Sequence, residues 1–72
     1  MRRVQALDII IAVNLKIYRR RNNMSQSDAA KQLGITYQQL QKYESAGNRI
    51  SAGRLWQLAT IYNVPIENFF VR

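Results

Sequence analysis

The sequence predicts an all-α fold in which five short helices form one domain over residues 1–72. Three observations lead to this prediction. Apolar residues recur at helical spacing, as in Leu55, Leu58 and Tyr62. Hydroxyl residues stand at the expected helix starts, and Gly34 stands where a helix would end in the left-handed conformation. An apolar content of 47% is normal for a folded chain, and the length suits a single small core.

The composition argues against catalysis and metal binding. The chain has no Cys and no His, so thiolate ligands and the usual general base are both missing. The only carboxylates are those of Asp8, Asp28, Glu44 and Glu67. We therefore predict that the chain is not an enzyme and takes no cofactor, metal or small-molecule ligand. Eleven Lys and Arg give a net charge of +7, which favours a polyanionic partner.

No segment is predicted to enter a membrane. The apolar run at residues 9–13 is too short to cross a bilayer, and Asn14 and Lys16 follow it. It also lacks the small-residue cleavage site of a secretory signal. We therefore expect a cytoplasmic protein, associated with the nucleoid if its polyanionic partner is DNA.

The first predicted helix begins with Asp8 as its N-cap, after a basic lead-in at residues 1–7, and ends near Arg21. Its core-facing stripe comprises Leu7, Ile11, Leu15 and Tyr18. The alternation from Ile9 to Ile17 also fits a half-buried strand, but we choose a helix because every later segment is helical. A second apolar stripe comprises Ile10, Val13 and Ile17. It either packs under the C-terminal segment, which we favour, or forms a subunit contact.

The middle of the chain predicts two short helices joined by a tight turn. Capping-box patterns open both helices, in the residue pairs Ser25 with Asp28 and Thr36 with Gln39. Gly34 separates the two helices. This arrangement, at about residues 25–45, indicates a helix-turn-helix whose second helix, residues 37–44, faces outward.

The third predicted helix has two chemically different faces. Leu40 and Tyr43 point toward the core. The opposite face carries Tyr37, Gln38, Gln41 and Lys42. Its amide, phenol and ammonium groups can bond to base edges, and the lack of a carboxylate avoids repulsion by phosphate. From this helix alone, an ordinary solvated surface is an equally good interpretation.

Two further helices complete the predicted fold. After a polar loop at residues 45–50, Ser51 caps a fourth helix that Asn63 ends. Trp56 lies on the flank of that helix and is predicted to be a packing residue. Pro65 suits the first turn of a fifth helix. The apolar edge of this last helix is formed by Ile66, Phe69 and Phe70.

Several motifs together resemble one known family. They are Met24-Ser25-Gln26, Leu33-Gly34-Ile35-Thr36, Gln38-Gln39-Leu40-Gln41-Lys42-Tyr43-Glu44 and Asn48-Arg49-Ile50-Ser51. With Val64-Pro65 and Phe69-Phe70, they make residues 8–70 similar to the lambda-repressor-like, XRE-type helix-turn-helix family. The resemblance implies a compact five-helix DNA-binding domain of a sequence-specific transcriptional regulator, in our interpretation a repressor. It also implies a homodimer on a palindromic operator of double-stranded DNA.

The resemblance further implies roles for individual residues. Contacts to base edges are assigned to Tyr37, Gln38 and Lys42, with Gln41 as their neighbour. Contacts to the phosphate backbone are assigned to Gln26, Thr36, Gln39, Asn48 and Arg49. Arg19 and Glu44 match a pair that forms a structural salt bridge in the family. On that interpretation Arg19 is not a DNA ligand, although it belongs to a basic run.

Three positions depart from the family pattern. Ala29 replaces a larger leucine, so another side chain must fill the space. Asn23 replaces a turn glycine, which is tolerable because Asn accepts the left-handed conformation. The family usually has its loop glycine one residue before Gly47, which leaves the geometry of the loop after the third helix open.

Two other functions stay open at this point. An antitoxin-like module would bind DNA and also neutralise a protein partner, and a toxin encoded beside it would favour that function. A protein-interaction adaptor would keep the fold without DNA binding, and it would respond weakly to duplex DNA at any salt concentration.

Overall fold

The computed structural model describes residues 4–72, which form four α-helices and a C-terminal 3₁₀ helix. The α-helices are α1 (Ala6–Arg21), α2 (Gln26–Leu33), α3 (Tyr37–Glu44) and α4 (Ala52–Ile61). The prediction of an all-α fold is confirmed, and the alternative of a strand within residues 9–17 is wrong. Residues 1–3 of the predicted lead-in lie outside the described range. Within that range, no helix is long and apolar enough to span a membrane.

The fifth predicted α-helix is instead a short 3₁₀ helix, Ile66–Phe70. The carbonyl oxygen of Pro65 accepts the backbone N–H of Asn68 at 3.0 Å, which is the i→i+3 bond of a 3₁₀ turn. So short a segment forms too few i→i+4 bonds to balance the cost of nucleating an α-helix. Its conformation is therefore set by packing against the rest of the domain.

Helix α1 begins earlier than predicted. Its N-cap is Gln5, and Asp8 occupies the third helical position. The Asp8 carboxylate accepts the backbone N–H of Gln5 at 2.9 Å. A carboxylate in the first turn satisfies a free N–H group and interacts favourably with the positive end of the helix. Asp8 therefore stabilises the helix start without being the cap residue.

The caps of the next three helices occupy the predicted positions. Ser25 Oγ accepts the backbone N–H of Asp28, and the Asp28 carboxylate accepts that of Ser25, both at 3.0 Å. The hydrogen bond from the Ser25 backbone lowers the pKa of Asp28 because it stabilises the carboxylate. Ser51 caps α4 in the same way with its hydroxyl. At α3 one half of the predicted capping box is formed, in which Thr36 Oγ1 accepts the N–H of Gln39 at 3.1 Å.

Within the described part of the chain, four turns depend on residues in the left-handed backbone conformation, and one of them is the turn after α4, where Asn63 has φ +53°. Gly34 ends α2 with φ +78°, as predicted, and Asn23 has φ +56° in the preceding turn. In the loop after α3 the left-handed residue is Ala46, with φ +61°, and not Gly47. Because Ala46 has a Cβ, this conformation carries a strain cost of about 1–2 kcal/mol.

We expect Gly34→Ala to lower the free energy of unfolding by about 1–2 kcal/mol, because its φ is unfavourable for alanine. Gly53, inside α4, is a matched control, since a Cβ at either glycine would meet no atom within 4 Å. Gly53→Ala should raise the free energy of unfolding by about 0.5–1 kcal/mol through helix propensity. Urea denaturation of both variants measures the difference, and shifts of the same sign would contradict the conformational explanation.

The core lies between the four α-helices and the 3₁₀ helix. Its fully buried side chains include Leu15, Leu40, Leu58 and Phe69. The ring of Phe69 meets that of Tyr18 edge to face, with centroids 5.8 Å apart. The buried amide of Asn14 donates to the carbonyl oxygens of Phe69 and Val71, at 2.9 and 2.7 Å. Packing and hydrogen bonds thus both hold the C-terminal segment against α1.

Four predictions of apolar burial are wrong. Trp56 is 62% exposed instead of packed. Two further exposed residues with predicted core roles are Leu7 and Phe70. The second stripe of α1 is not covered by the C-terminal segment, since Val13 is 51% exposed and Ile17 is 39% exposed. The C-terminal segment is short and reaches only the neighbouring side of α1.

Candidate nucleic-acid interface

Helix α3 has one buried side and one exposed side, as its spacing predicts. Leu40 and Tyr43 are buried in the core. The exposed side chains are those of Tyr37, Gln38, Gln41 and Lys42. This face, which we call the α3 face, presents a phenol, two amides and an ammonium group to solvent. It combines donors and acceptors suited to base edges with a positive charge suited to phosphate.

An ion pair at the end of α3 fixes this helix against α1. Arg19 Nε and Nη2 donate to the two carboxylate oxygens of Glu44, at 2.7 and 3.0 Å, and both side chains are nearly buried. Arg19 Nη1 also donates to the carbonyl oxygen of Met24 at 2.8 Å. The hydrogen bond to Glu44 raises the pKa of Arg19. This bidentate pair is the salt bridge that the resemblance implies, and its geometry is of the strong, planar kind.

Gln26, at the start of α2, contacts the same carboxylate. Its Nε2 donates to Glu44 Oε1 at 3.1 Å. One amide hydrogen of Gln26 is therefore used inside the protein, and the second hydrogen remains for an external acceptor. The Glu44 carboxylate thus joins α1, α2 and α3, and we call this group of three side chains the Glu44 junction.

Tyr62 places a buried hydroxyl beside the junction. Among the described residues, this oxygen is the one buried side-chain polar atom that has no hydrogen-bond partner. Burial raises the pKa of Tyr62 far above its usual range, and the nearby Glu44 carboxylate acts in the same direction. The sequence identifies Tyr62 only as a core residue, because its helical spacing does not reveal an ionic neighbour. Its phenol remains neutral and contributes packing.

A polar groove lies between α1 and the start of α2. Its open volume is about 490 Å³, and its lining includes Lys16, Arg20, Ser25, Gln26, Ser27 and Tyr37. Lys16 and Arg20 are exposed and stand one helical turn apart on α1. Lys16 has no role predicted from the sequence. Its spacing from Arg20 was visible in the sequence, but the proximity of both to α2 is a tertiary feature.

The loop after α3 is folded back on that helix. The backbone N–H groups of Gly47 and Asn48 donate to the carbonyl oxygen of Lys42, at 2.8 and 3.3 Å. Asn48 is partly buried, whereas Arg49 is exposed. Arg49 Nε lies 3.4 Å from Asp8 Oδ2 of α1, in an exposed ion pair of the weak kind. The loop therefore has a defined shape in spite of its unusual glycine position.

A further contact links α4 to the buried side of α3. Arg54 Nη1 donates to the hydroxyl oxygen of Tyr43 at 2.7 Å. Tyr43 is otherwise a core residue, so this bond joins its polar end to the start of α4. The sequence contained no signal for this contact, because an exposed arginine in a first helical turn is usually solvated.

Comparison with known proteins shows that this chain is similar to helix-turn-helix proteins. Residues 15–69 match the family model described as helix-turn-helix, HTH_3. Over 64 residues the chain is 42% identical to an uncharacterized HTH-type transcriptional regulator of Sinorhizobium medicae, covering 89% of this chain and 46% of that protein. Over 67 residues it is 39% identical to a regulator with the same description from Rickettsia conorii, covering 93% and 54%. The chain spans about half the length of the curated relatives it matches.

Two solved structures share the fold. The hypothetical transcription factor NHTF from Neisseria superposes with a TM-score of 0.85 at 20% identity, covering 99% of this chain and 82% of that one. An HTH_3 family transcriptional regulator from Vibrio cholerae gives a TM-score of 0.79 at 23% identity, covering 89% and 36%. At these identities the likeness establishes the arrangement of helices.

Proposed function

Because this chain belongs to the helix-turn-helix family HTH_3, we propose that it is a transcriptional regulator that binds double-stranded DNA in the major groove. The observation that carries this proposal is the α3 face, which is exposed, free of carboxylates and clamped at its end by the Glu44 junction. Helix α2 precedes it across the Gly34 turn, as in a helix-turn-helix. A net charge of +7 supplies the attraction to a polyanion.

The α3 face would read bases by direct hydrogen bonding. Gln38 is suited to a bidentate contact with adenine, and Lys42 to donation to guanine. Tyr37 would contact a thymine methyl group or a phosphate, and Gln41 would assist as a neighbour. All four side chains are exposed and none has an acidic partner among the described residues, so binding requires no internal bond to break.

The phosphate backbone would be held on both sides of α3. Gln26, Thr36 and Gln39 flank its start, and Asn48 and Arg49 follow its end. To these positions we add Lys16 and Arg20, which line the polar groove beside Gln26 and Tyr37. Such contacts set the register and contribute most of the salt-dependent affinity. Arg49 would exchange its weak pair with Asp8 for a phosphate.

A symmetric assembly follows from the size of the α3 face. One recognition helix reads only a few base pairs, so we propose a homodimer on a palindromic operator. Binding at such a site would repress transcription by excluding polymerase, in the bacterial cytoplasm where the DNA lies. Selection of bound duplexes from a random pool, at about 0.15 M salt, tests this: a palindromic consensus is expected, and recovery without any consensus would refute sequence-specific binding.

We expect Gln38→Ala and Lys42→Ala to weaken binding to the selected site by about 1–3 kcal/mol each and to relax its base preference. Arg49→Ala should instead weaken binding to all sequences alike and reduce the dependence on salt. Gln57→Ala, at an exposed position of α4, serves as the matched control. It should change neither the affinity nor the base preference. Fluorescence anisotropy with the selected and a scrambled duplex measures these effects. If Gln38→Ala and Lys42→Ala weakened binding to both duplexes equally, the assignment of the α3 face would be refuted.

A further inference from the structure

Helix α1 carries an exposed apolar stripe that neither the core nor the proposed DNA contacts use. Ile9, Val13 and Ile17 follow one another at four-residue spacing and are 52%, 51% and 39% exposed. Together with Ala6 and Ile10 they line a shallow groove of about 430 Å³, at whose side lies Arg72. An apolar surface of this continuity on a small domain is typical of a binding site. We call it the α1 groove.

The rim of the α1 groove is positively charged. Arg72 lines the groove itself, and Arg21 joins it in the adjoining depression toward the C-terminal segment. Along the other edge of the stripe stand Lys16 and Arg20, which are neighbours of Val13 and Ile17 on the helix surface. No carboxylate lines either depression among the described residues. The carboxylate of α1, Asp8, is engaged with Gln5 and Arg49 instead.

We propose that the α1 groove binds an amphipathic helix of another protein, whose apolar side chains enter the groove and whose flanking residues are acidic. A helix lying along a groove uses anchors at spacings such as i, i+4 and i+7. The α1 stripe repeats at i, i+4 and i+8, so it also presents one apolar side chain per helical turn. Its flanking carboxylates would pair with the cations of the rim, which sets orientation and speeds association. This proposal does not rest on the DNA-binding function, but it shares Lys16 and Arg20 with the proposed phosphate contacts.

A second copy of this chain fits the α1 groove less well. Two copies would bring together chains of +7 each, with Lys16, Arg20 and Arg21 of both on the helices that meet. In addition, a stable dimer buries about 800 Å² per partner, whereas the α1 stripe offers three half-exposed aliphatic side chains. At the α1 groove, charge and area therefore both favour a small acidic partner element over a second copy, and the proposed homodimer would use another surface.

The test uses the chain labelled with ¹⁵N and a synthetic helical peptide of about 16 residues, long enough to lie along α1. The peptide has leucines at i, i+4 and i+7 spacing and glutamates on both flanks of the leucine face. A control peptide keeps the leucines and replaces every flanking glutamate by lysine. We expect the acidic peptide to shift the amide signals of residues 6–21 and to bind about tenfold or more tightly than the lysine peptide.

Variants of the chain test the apolar stripe and the charged rim of the groove separately. Val13→Gln should reduce the affinity for the acidic peptide about tenfold, because it removes an apolar contact from an exposed position without disturbing the core. Lys16→Gln with Arg20→Gln should reduce the preference for glutamate over lysine flanks, because Arg21 and Arg72 remain on the rim. Trp56→Gln, an exposed apolar residue on α4, should leave both peptides unaffected.

Three outcomes would overturn the proposal. The first is equal binding of the two peptides, and the second is binding of the acidic peptide that Val13→Gln leaves unchanged. The third is self-association of the unmodified chain in sedimentation equilibrium that Val13→Gln abolishes, because the occupant would then be a second copy. Unchanged circular dichroism of each variant confirms that it is folded.

Discussion

Glu44→Ala is expected to lower the free energy of unfolding by about 3–5 kcal/mol, because it leaves the nearly buried guanidinium of Arg19 without its counter-charge. The same substitution removes the acceptor of the Gln26 amide, so α1, α2 and α3 all lose their common contact. Small domains have a total stability of only about 5–15 kcal/mol. The variant should therefore be partly unfolded near physiological temperature.

Urea denaturation and thermal melting of Glu44→Ala measure this loss. Glu67→Ala is the control, since Glu67 is an exposed acid in the 3₁₀ helix and exposed substitutions change stability by about 0.5 kcal/mol or less. The loss of stability for Glu44→Gln should lie between those for Glu44→Ala and Glu67→Ala, because an amide keeps the shape and one acceptor but not the charge. An unchanged denaturation midpoint for Glu44→Ala would show that the ion pair contributes little.

Phe69→Ala is expected to cost about 3–5 kcal/mol, the range for truncating a large aromatic side chain in a core. Phe69 is fully buried and packs edge to face on Tyr18. Its neighbour Phe70 has the same chemistry but is 43% exposed, so Phe70→Ala is a matched control with an expected cost below about 1 kcal/mol.

Equilibrium unfolding in urea separates the two phenylalanine variants. Their comparison tests whether the 3₁₀ helix is an integral part of the core or only an appendage. Equal and small losses would mean that the C-terminal segment detaches without unfolding the rest. A large loss for Phe69 alone would agree with the Asn14 amide, whose two bonds hold the carbonyl oxygens of Phe69 and Val71.

The local features of this fold were predictable from the sequence. Ser25, Thr36 and Ser51 cap their helices as expected, because a cap depends on a side chain and an N–H group three residues away. Gly34 ends α2 for an equally local reason. The helical spacing of Leu40 and Tyr43 also identified which side of α3 is buried. In each case the deciding interaction lies within one turn of helix.

The errors concern features that depend on distant parts of the chain. The exposure of Trp56 and Val13 depends on how far the C-terminal segment reaches, which periodicity does not reveal. The replacement of a fifth α-helix by a 3₁₀ helix likewise reflects tertiary packing. Asp8 was placed correctly at a helix start but in the wrong position, because an acidic residue serves either as the cap or in the first turn.

The candidate site also has local features, which the sequence predicts, and features that depend on distant residues. The exposed residues of α3 follow from its period, whereas the bonds of Gln26 to Glu44 and of Arg49 to Asp8 join residues far apart in sequence. The resemblance to a known family supplied the Arg19–Glu44 pair, which no local pattern indicates. The polar groove beside Lys16 is formed by residues of both α1 and α2, so no local pattern predicts it.

The Glu44 junction has a consequence for the operator. Because its carboxylate binds side chains of three helices, we expect α3 to keep a fixed orientation when it enters the major groove under the proposed function. Under the proposed function, the adaptation then falls to the double helix, which must twist or bend to meet a stiff surface. Base steps that deform easily, such as TA and CA, would gain affinity even where no side chain touches them. Operators of this protein would be distinguished by flexibility as well as by base identity.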